Sequence, residues 1–460
     1  MFIRFSVENF KSFNDSVVWS ALADSTVTEH ANKLKKVGDI ELLTNIAIYG
    51  PNASGKTSLI SAIKFLTSWL KSANGLTPAQ ARYYCRIKQE NENKATRFII
   101  QFSTQENIYT YDVSAVLSTS DVIHEKLFFK DANAVNSALL FERSRENGVI
   151  LGNSLRDKLN DKDRAKWDVY QNDFNAEESR LFLAYFANGK KLNDSEQLKH
   201  FSEAYAYMTR CIAVICPDDV YVDEDAPYEI RRNEEFVNFL SQFDTGIAEL
   251  KFVDIDKEKD FRDIPERARK YLIKELEKSY LKNKAGTKMA LRSRDGLITL
   301  EFAGPDEIIC KSIKTTHVGS SSLFDYKEES DGTRRLFELM GMLLSPNQDK
   351  VYIVDEIDRS MHSQLTAAFI HRFNQINRKK NCQLFFTTHD TTLLNNKSLF
   401  RRDEVYFIER NKENTSRLYS VSDFQKWDKE SLAEAYLLGR YGALPLISHI
   451  CNEEGEDVSN

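Results

Sequence analysis

Residues Gly50-Pro51-Asn52-Ala53-Ser54-Gly55-Lys56-Thr57 fit the pattern G-x-x-x-x-G-K-[ST], with Ser58 following. These residue types at this spacing suit the handling of a polyphosphate. The glycines let the backbone curl so that successive N–H groups face the β- and γ-phosphates, and a helix starting at the loop adds its positive end. Lys56 neutralises phosphate charge, and the Thr57 hydroxyl ligates Mg²⁺. The stretch from Gly50 to Ser58 is therefore a candidate site for ATP and Mg²⁺. Far down the chain, Asp355 and Glu356 stand together. At such a place an Asp orients the Mg²⁺ shell and the next acid takes a proton from the attacking water. His389 is a candidate for touching a γ-phosphate. Ser330 and Gly332, at a helix start, offer a hydroxyl and backbone N–H groups to a phosphate.

These groups need rigid supports, and the flanking sequence supplies them. Asn45–Tyr49 reads as a buried strand feeding the loop, and Ser58–Leu66 as the helix leaving it, with apolar residues at helical spacing. Lys350–Val354 is a short apolar strand ending in the two acids, and Gln383–Thr388 is another, ending at His389. Between the two halves of the site, Ser330 reads as the cap of a helix running through Met340, Leu343 and Leu344.

At 460 residues the chain exceeds one compact core, so two or three lobes are expected. With 42% apolar and 29% charged residues it has an ordinary globular composition, and its formal charge of −6 does not suit a dedicated DNA binder. No apolar run reaches the ~20 residues of a membrane span. The opening Met1–Val7 alternates like a strand and lacks a signal-peptide layout. The six cysteines are scattered without a C-x-x-C pair, so a cytoplasmic protein without disulfides or zinc is expected.

The motifs in this order resemble an ABC-type ATPase head of the SMC/RecF/OLD group. The opening Val7-Glu8-Asn9-Phe10-Lys11-Ser12-Phe13 is similar to the N-F-[KR]-S-F start of those proteins. Three further stretches resemble the AbiL/RloA-like AAA-family ATPases of phage-defence loci: Glu329–Leu336 (E-S-D-G-T-R-R-L), Asp355–His362 (D-E-I-D-R-S-M-H) and Leu438–Pro445 (L-G-R-Y-G-A-L-P). The resemblance covers residues 1–105 and 290–445. It implies an α/β P-loop NTPase fold, an ABC-type two-lobe ATPase head with a mainly helical insertion. It also implies a homodimer or higher homo-oligomer with ATP sandwiched between subunits. Ser330 and Gly332 would then act in trans, while Lys56, Thr57, Asp355, Glu356 and His389 act in cis. Asp331 departs from the small residue usual in that signature and puts a negative charge near the phosphate. Gln101 is the candidate for the lobe-connecting glutamine that contacts Mg²⁺, although a solvent-facing strand Gln reads equally well there. Asp358 stands at an altered D-loop position, or is a surface acid.

The expected lobes are 1–105 with the P-loop, an insertion over 106–285, a second lobe over 286–425, and a tail over 426–460. The insertion opens with strands around Tyr109–Val113 and Lys126–Phe129, then turns helical and charged, as at Glu266–Lys278. It lacks sustained heptads, so a compact lid is expected in place of a coiled coil. The acids Asp218, Asp219, Asp223, Glu224 and Asp225 read as a solvated loop more readily than as a nuclease centre. No TOPRIM pattern follows His389, so any effector nuclease or toxin is expected on a separate chain. The basic runs Arg378–Lys380 and Arg401–Arg402 admit a weak contact with DNA. The expectation is an ATP-hydrolysing switch acting through such a partner. Its rivals are a RecF-like repair ATPase on duplex DNA and a non-hydrolysing ATP-dependent scaffold.

Overall fold

The computed structural model describes residues 1–104, 107–174, 179–190, 192, 194–217, 232–254, 273, 287–292, 297–304, 307–344, 349–396, 398–424 and 431–444. The chain divides into two compact units. One holds Met1–Val214, Asp349–Asp355 and Asn381–Asn460; the other holds Ile215–Gln348 and Glu356–Lys380. The architecture is α/β, with the central parallel strands and glycine-rich loop of a P-loop NTPase fold.

The first unit is built on two sheets. In the six-stranded sheet the order is Ile212–Ile215, Val351–Val354, Gln383–Thr387, Asn45–Tyr49, Val405–Arg410, Ser416–Ser420. The four central strands are parallel, and Ser416–Ser420 closes one edge antiparallel. Three of these central strands are buried along their whole length, which is why they read as unbroken apolar runs. The other sheet has seven antiparallel strands, ordered Gly148–Leu151, Ala138–Ser144, Asp121–Asp131, Asn107–Val116, Thr96–Thr104, Phe2–Glu8, Val17–Ser20. One continuous core joins the two sheets and includes Phe2, Phe5, Leu59, Ile63, Phe98, Tyr111 and Phe385. The buried Gln383 pins them together: its Oε1 accepts from Phe2 N at 2.7 Å, and its Nε2 donates to the carbonyls of Phe2 (3.1 Å) and Leu43 (2.9 Å).

The antiparallel sheet does not stop at residue 105, where the lobe boundary is expected. Thr104 pairs with Asn107, and the alternation of Tyr109, Tyr111 and Val113 keeps the next strand on the same core face. Pairing runs on to Leu151. Only then does the chain turn helical, through Asp161–Asp173, Phe182–Ala187 and Lys199–Ala206. These short helices pack as a compact aromatic cluster of Phe141, Trp167, Phe182, Phe186 and Phe201. The acids 218–225 lie outside the described residues, and so does all of the helix expected at 266–278 except Ile273. In the second unit, the strands Thr287–Arg292, Leu297–Gly304 and Glu307–His317 form an antiparallel sheet with Ile247–Asp254 at its other edge.

The two terminal motifs have structural work. Asn9 adopts a left-handed φ of 51° and ties a hairpin: its Nδ2 donates to the carbonyls of Asn91 and Lys94, both at 3.0 Å, and its Oδ1 accepts from Cys85 N at 3.1 Å. Near the C-terminus, Gly442 has a φ of +69°, and a Cβ there would lie 2.7 Å from the Glu409 carboxylate. That carboxylate accepts from Ala443 N at 2.9 Å, and Tyr441 stacks on Phe407.

A buried polar knot fixes the helical segment to the sheet. Glu125, fully buried, accepts from Phe182 N (2.7 Å), Leu183 N (2.8 Å) and the Tyr111 hydroxyl (2.9 Å), with Arg143 Nη1 at 3.6 Å. Burial pushes its carboxyl pKa up, against the pull of Arg143 and the two amides. Glu125→Ala would leave the buried Arg143 guanidinium without its carboxylate and two helix-start amides without their acceptor. Unfolding in denaturant should show a loss of about 3–5 kcal/mol; a change below about 1 kcal/mol would mean the knot is dispensable.

Candidate functional site

The sheet topology gathers the candidate residues. Asn45–Tyr49 lies between Gln383–Thr387 and Val405–Arg410, with Ile48 in register with Thr387 and Ala47 with Val405. Val351–Val354 follows on the far side of Gln383–Thr387, with Val354 against Phe386. All run in one direction, so Gly50–Thr57, Thr388–His389 and Asp355 leave from the carboxyl ends of adjacent parallel strands. Ligands of open parallel sheets bind at that edge.

The loop itself is held in the curled form. Helix Lys56–Lys71 starts at Gly55, whose φ is +118°, and Ala53 is also left-handed at +61°. A Cβ on Gly55 would lie 2.3 Å from Ser416 Oγ and 2.8 Å from Ser12 Oγ, and one on Gly50 would lie 2.2 Å from the Ile408 carbonyl. Both positions therefore require glycine for close approach, and Gly55 requires it for its conformation as well. Ser416 Oγ donates to the Ser54 carbonyl at 2.5 Å. Lys56 is 6% exposed, and its ammonium donates to the carbonyls of Gly50 (2.7 Å) and Pro51 (2.9 Å), at the mouth of the loop. The Ser54 hydroxyl is buried with no hydrogen-bond partner among the described residues. Thr57, by contrast, is exposed in the first helical turn. A curled glycine-flanked loop, an ammonium at its mouth and an orphaned buried hydroxyl fit a bound polyphosphate.

Asp355 is 1% exposed, and the Thr387 hydroxyl donates to its Oδ1 at 2.6 Å across the strand pair. A hydroxyl from Thr57 and a carboxylate from Asp355 make a hard oxygen donor set suited to Mg²⁺. Thr387, which the sequence hides inside an apolar strand, orients that carboxylate. Thr387→Val should weaken Mg²⁺ support of ATP turnover by about 10-fold or more, read as a shift in the Mg²⁺ titration. An unshifted midpoint would remove Thr387 from the site.

Glu356, half-buried, is the next residue and has a left-handed φ of 50°. His389 is exposed, two residues past its strand; the neighbouring Thr388 N donates to the Ile48 carbonyl at 3.1 Å, fastening this loop to the P-loop strand. Gln101 is placed in mid-strand, where its Nε2 donates to Thr110 Oγ1 at 3.2 Å.

In the second unit, Ser330 caps helix Asp331–Leu344: its Oγ accepts from Thr333 N at 3.1 Å and lies 2.8 Å from Thr333 Oγ1. Ser330 is exposed and Gly332 half-buried. The preceding Glu329 is anchored by His317 Nε2 at 3.0 Å and by the Thr315 hydroxyl. The Asp331 charge that departs from the usual signature is paired with Arg334, one turn on. Asp358 lies in the turn after Glu356, and its carbonyl accepts from Met361 N at 3.0 Å. Of the basic runs, Arg401 is a structural anchor. It is 1% exposed, forks onto Asp403 at 2.8–2.9 Å, and donates to the carbonyls of Val27 and Glu29. Among the described residues no helix is long and apolar enough to cross a membrane.

Comparison with known proteins gives a family and a set of distant structural likenesses. No curated protein matches the chain. Solved structures similar to it include an SMC head bound to the C-terminal winged-helix domain of ScpA, at 11% identity, 95% of this chain, 99% of that chain and a TM-score of 0.38. They also include the SMC head domain of Thermotoga maritima, at 12% identity, 91% and 98% coverage and a TM-score of 0.35. An SMC head from Pyrococcus furiosus with an extended coiled coil is similar at 12% identity, 96% and 98% coverage and a TM-score of 0.34. The family model described as "AAA domain, putative AbiEii toxin, Type IV TA system" matches residues 46–395, from the P-loop strand to beyond His389. With that match spanning most of its length, the chain belongs to this AAA-domain family of P-loop ATPases.

Proposed function

We propose that the protein is a Mg²⁺-dependent, ATP-hydrolysing switch whose copies associate through ATP and regulate a partner effector in an abortive-infection, antiphage system. The observation that carries the reading is the convergence of the curled P-loop, Asp355 and the His389 loop at the carboxyl ends of neighbouring parallel strands. In it the Gly50–Ser58 loop cradles the phosphates and Lys56 neutralises them. Thr57 and Asp355 hold Mg²⁺, Glu356 accepts the proton of the attacking water, and His389 touches the γ-phosphate. Ser330 and Gly332 meet the γ-phosphate on a second copy, so ATP joins the copies and hydrolysis releases them. The pairing of Asp331 with Arg334 offsets the charge that would otherwise favour a scaffold that binds without hydrolysing. The family description names a toxin of a toxin–antitoxin system, and the likeness of three stretches to AbiL/RloA-like ATPases points the same way. Burial of Arg401 takes half of the Arg401–Arg402 pair away from a DNA-contacting role.

The test is an affinity capture of tagged Glu356→Gln from the native host, with bound protein and nucleic acid identified. A stoichiometric second protein of nuclease or toxin type is the expected result. Duplex DNA without a protein partner would overturn the defence reading in favour of a RecF-like repair ATPase.

A further inference from the structure

We infer that Arg335 is a positioning residue for Glu356, so that the signature helix and the turn carrying the general base move as one body. The inference rests on the reading of Glu356 as the base and carries it to Arg335, a residue of the Glu329–Leu336 stretch to which the motif itself gives no role.

The turn from Glu356 to Ser360 joins strand Val351–Val354 to helix Ser363–Asn377. It contains two left-handed residues that are not glycine, Glu356 at φ 50° and Ser360 at φ 59°. A side chain with a Cβ disfavours that conformation, and it persists where the surroundings over-determine it. Both residues are met by the same helix. Near the start of Asp331–Leu344, a Cβ added at Gly332 would lie 2.9 Å from the Ser360 carbonyl, so the two backbones touch there. One turn further, Arg335 Nη2 donates to the Glu356 carbonyl at 3.0 Å, alongside the turn's own Arg359 N at 3.1 Å.

Arg335 is in turn fixed. It is 3% exposed, and its Nη1 donates to Glu338 Oε2 at 3.0 Å, with the Tyr326 hydroxyl 3.5 Å from Glu338 Oε1. A guanidinium presents its donors as a rigid planar fork, so one side chain can hold a carboxylate on its own helix and a carbonyl on the neighbouring turn. An ammonium is a single point of charge and does not reproduce that span. The Glu356 peptide is thereby set by the helix that begins at Ser330 and Gly332. Engagement of a phosphate at that helix start and placement of the base are consequently mechanically linked within one chain.

The experiment measures ATP turnover and ATP affinity for Arg335→Met and Arg335→Lys, and for Arg335→Met/Glu338→Met, which removes both buried charges and so guards against unfolding by a stranded carboxylate. Glu356→Gln is measured alongside. The inference expects kcat to fall at least about tenfold in both Met variants, part of the 10²–10⁴-fold that a general base supplies. ATP affinity should stay within about twofold of the parent, and Lys should restore little of the rate. Parental kcat in the double variant, with Glu356→Gln inactive, would overturn the inference and leave the base assignment standing. Parental turnover by Glu356→Gln would overturn the base assignment and the inference with it. Equal losses of kcat and ATP affinity would also overturn it, marking Arg335 as a residue of the fold alone.

Discussion

Glu356→Gln is expected to lower ATP turnover by about 10²–10⁴-fold while ATP stays bound. The amide keeps the size and shape of the carboxylate, so the turn that places it should be undisturbed. Its backbone hydrogen bonds from Arg335 and Arg359 do not involve the changed atoms. What is lost is the ability to take a proton from water at the moment it attacks. Phosphate release at saturating ATP, with nucleotide retention measured on the same sample, separates this from a binding defect. Turnover near the parental rate would show that another group is the base.

Lys56→Ala is expected to weaken ATP binding by about 10²-fold or more, the equivalent of one charge-assisted hydrogen bond of about 3 kcal/mol. The ammonium has a double role, because it also clamps the loop through the Gly50 and Pro51 carbonyls. Ser416 continues to hold the loop at the Ser54 carbonyl, so the variant should fold and fail at nucleotide affinity. Equilibrium titration with a fluorescent ATP analogue reads the effect. A dissociation constant within about threefold of the parent would contradict the assignment of the loop.

The parts of this site that are legible in the sequence are those whose chemistry is local. The P-loop strand, the strand before Asp355 and the strand before His389 are apolar because each is buried on both faces, and their ends are marked by polar residues. The cap at Ser330 is a side chain bonding to a backbone three residues away, which spacing alone can reveal. Thr387 and Arg335 are hidden for the opposite reason. Their partners, Asp355 and Glu356, lie on other elements, and a threonine in a strand or an arginine in a helix says nothing about what it faces. Gln383 is similar, a polar residue in an apolar strand that joins two sheets. The continuity of the sheet across residue 105 is not legible, because strands on either side of a hairpin have the same alternation whether they close a lobe or extend it. Only the pairing of Thr104 with Asn107 shows the extension.

The most direct test of the account is the mass in solution of Glu356→Gln, with and without ATP and Mg²⁺, by size-exclusion chromatography with light scattering. ATP is expected to convert it to a dimer or higher oligomer, and Ser330→Arg at the exposed helix start should prevent the conversion without abolishing ATP binding. An unchanged mass in saturating ATP, with nucleotide demonstrably bound, would contradict an ATP-joined switch.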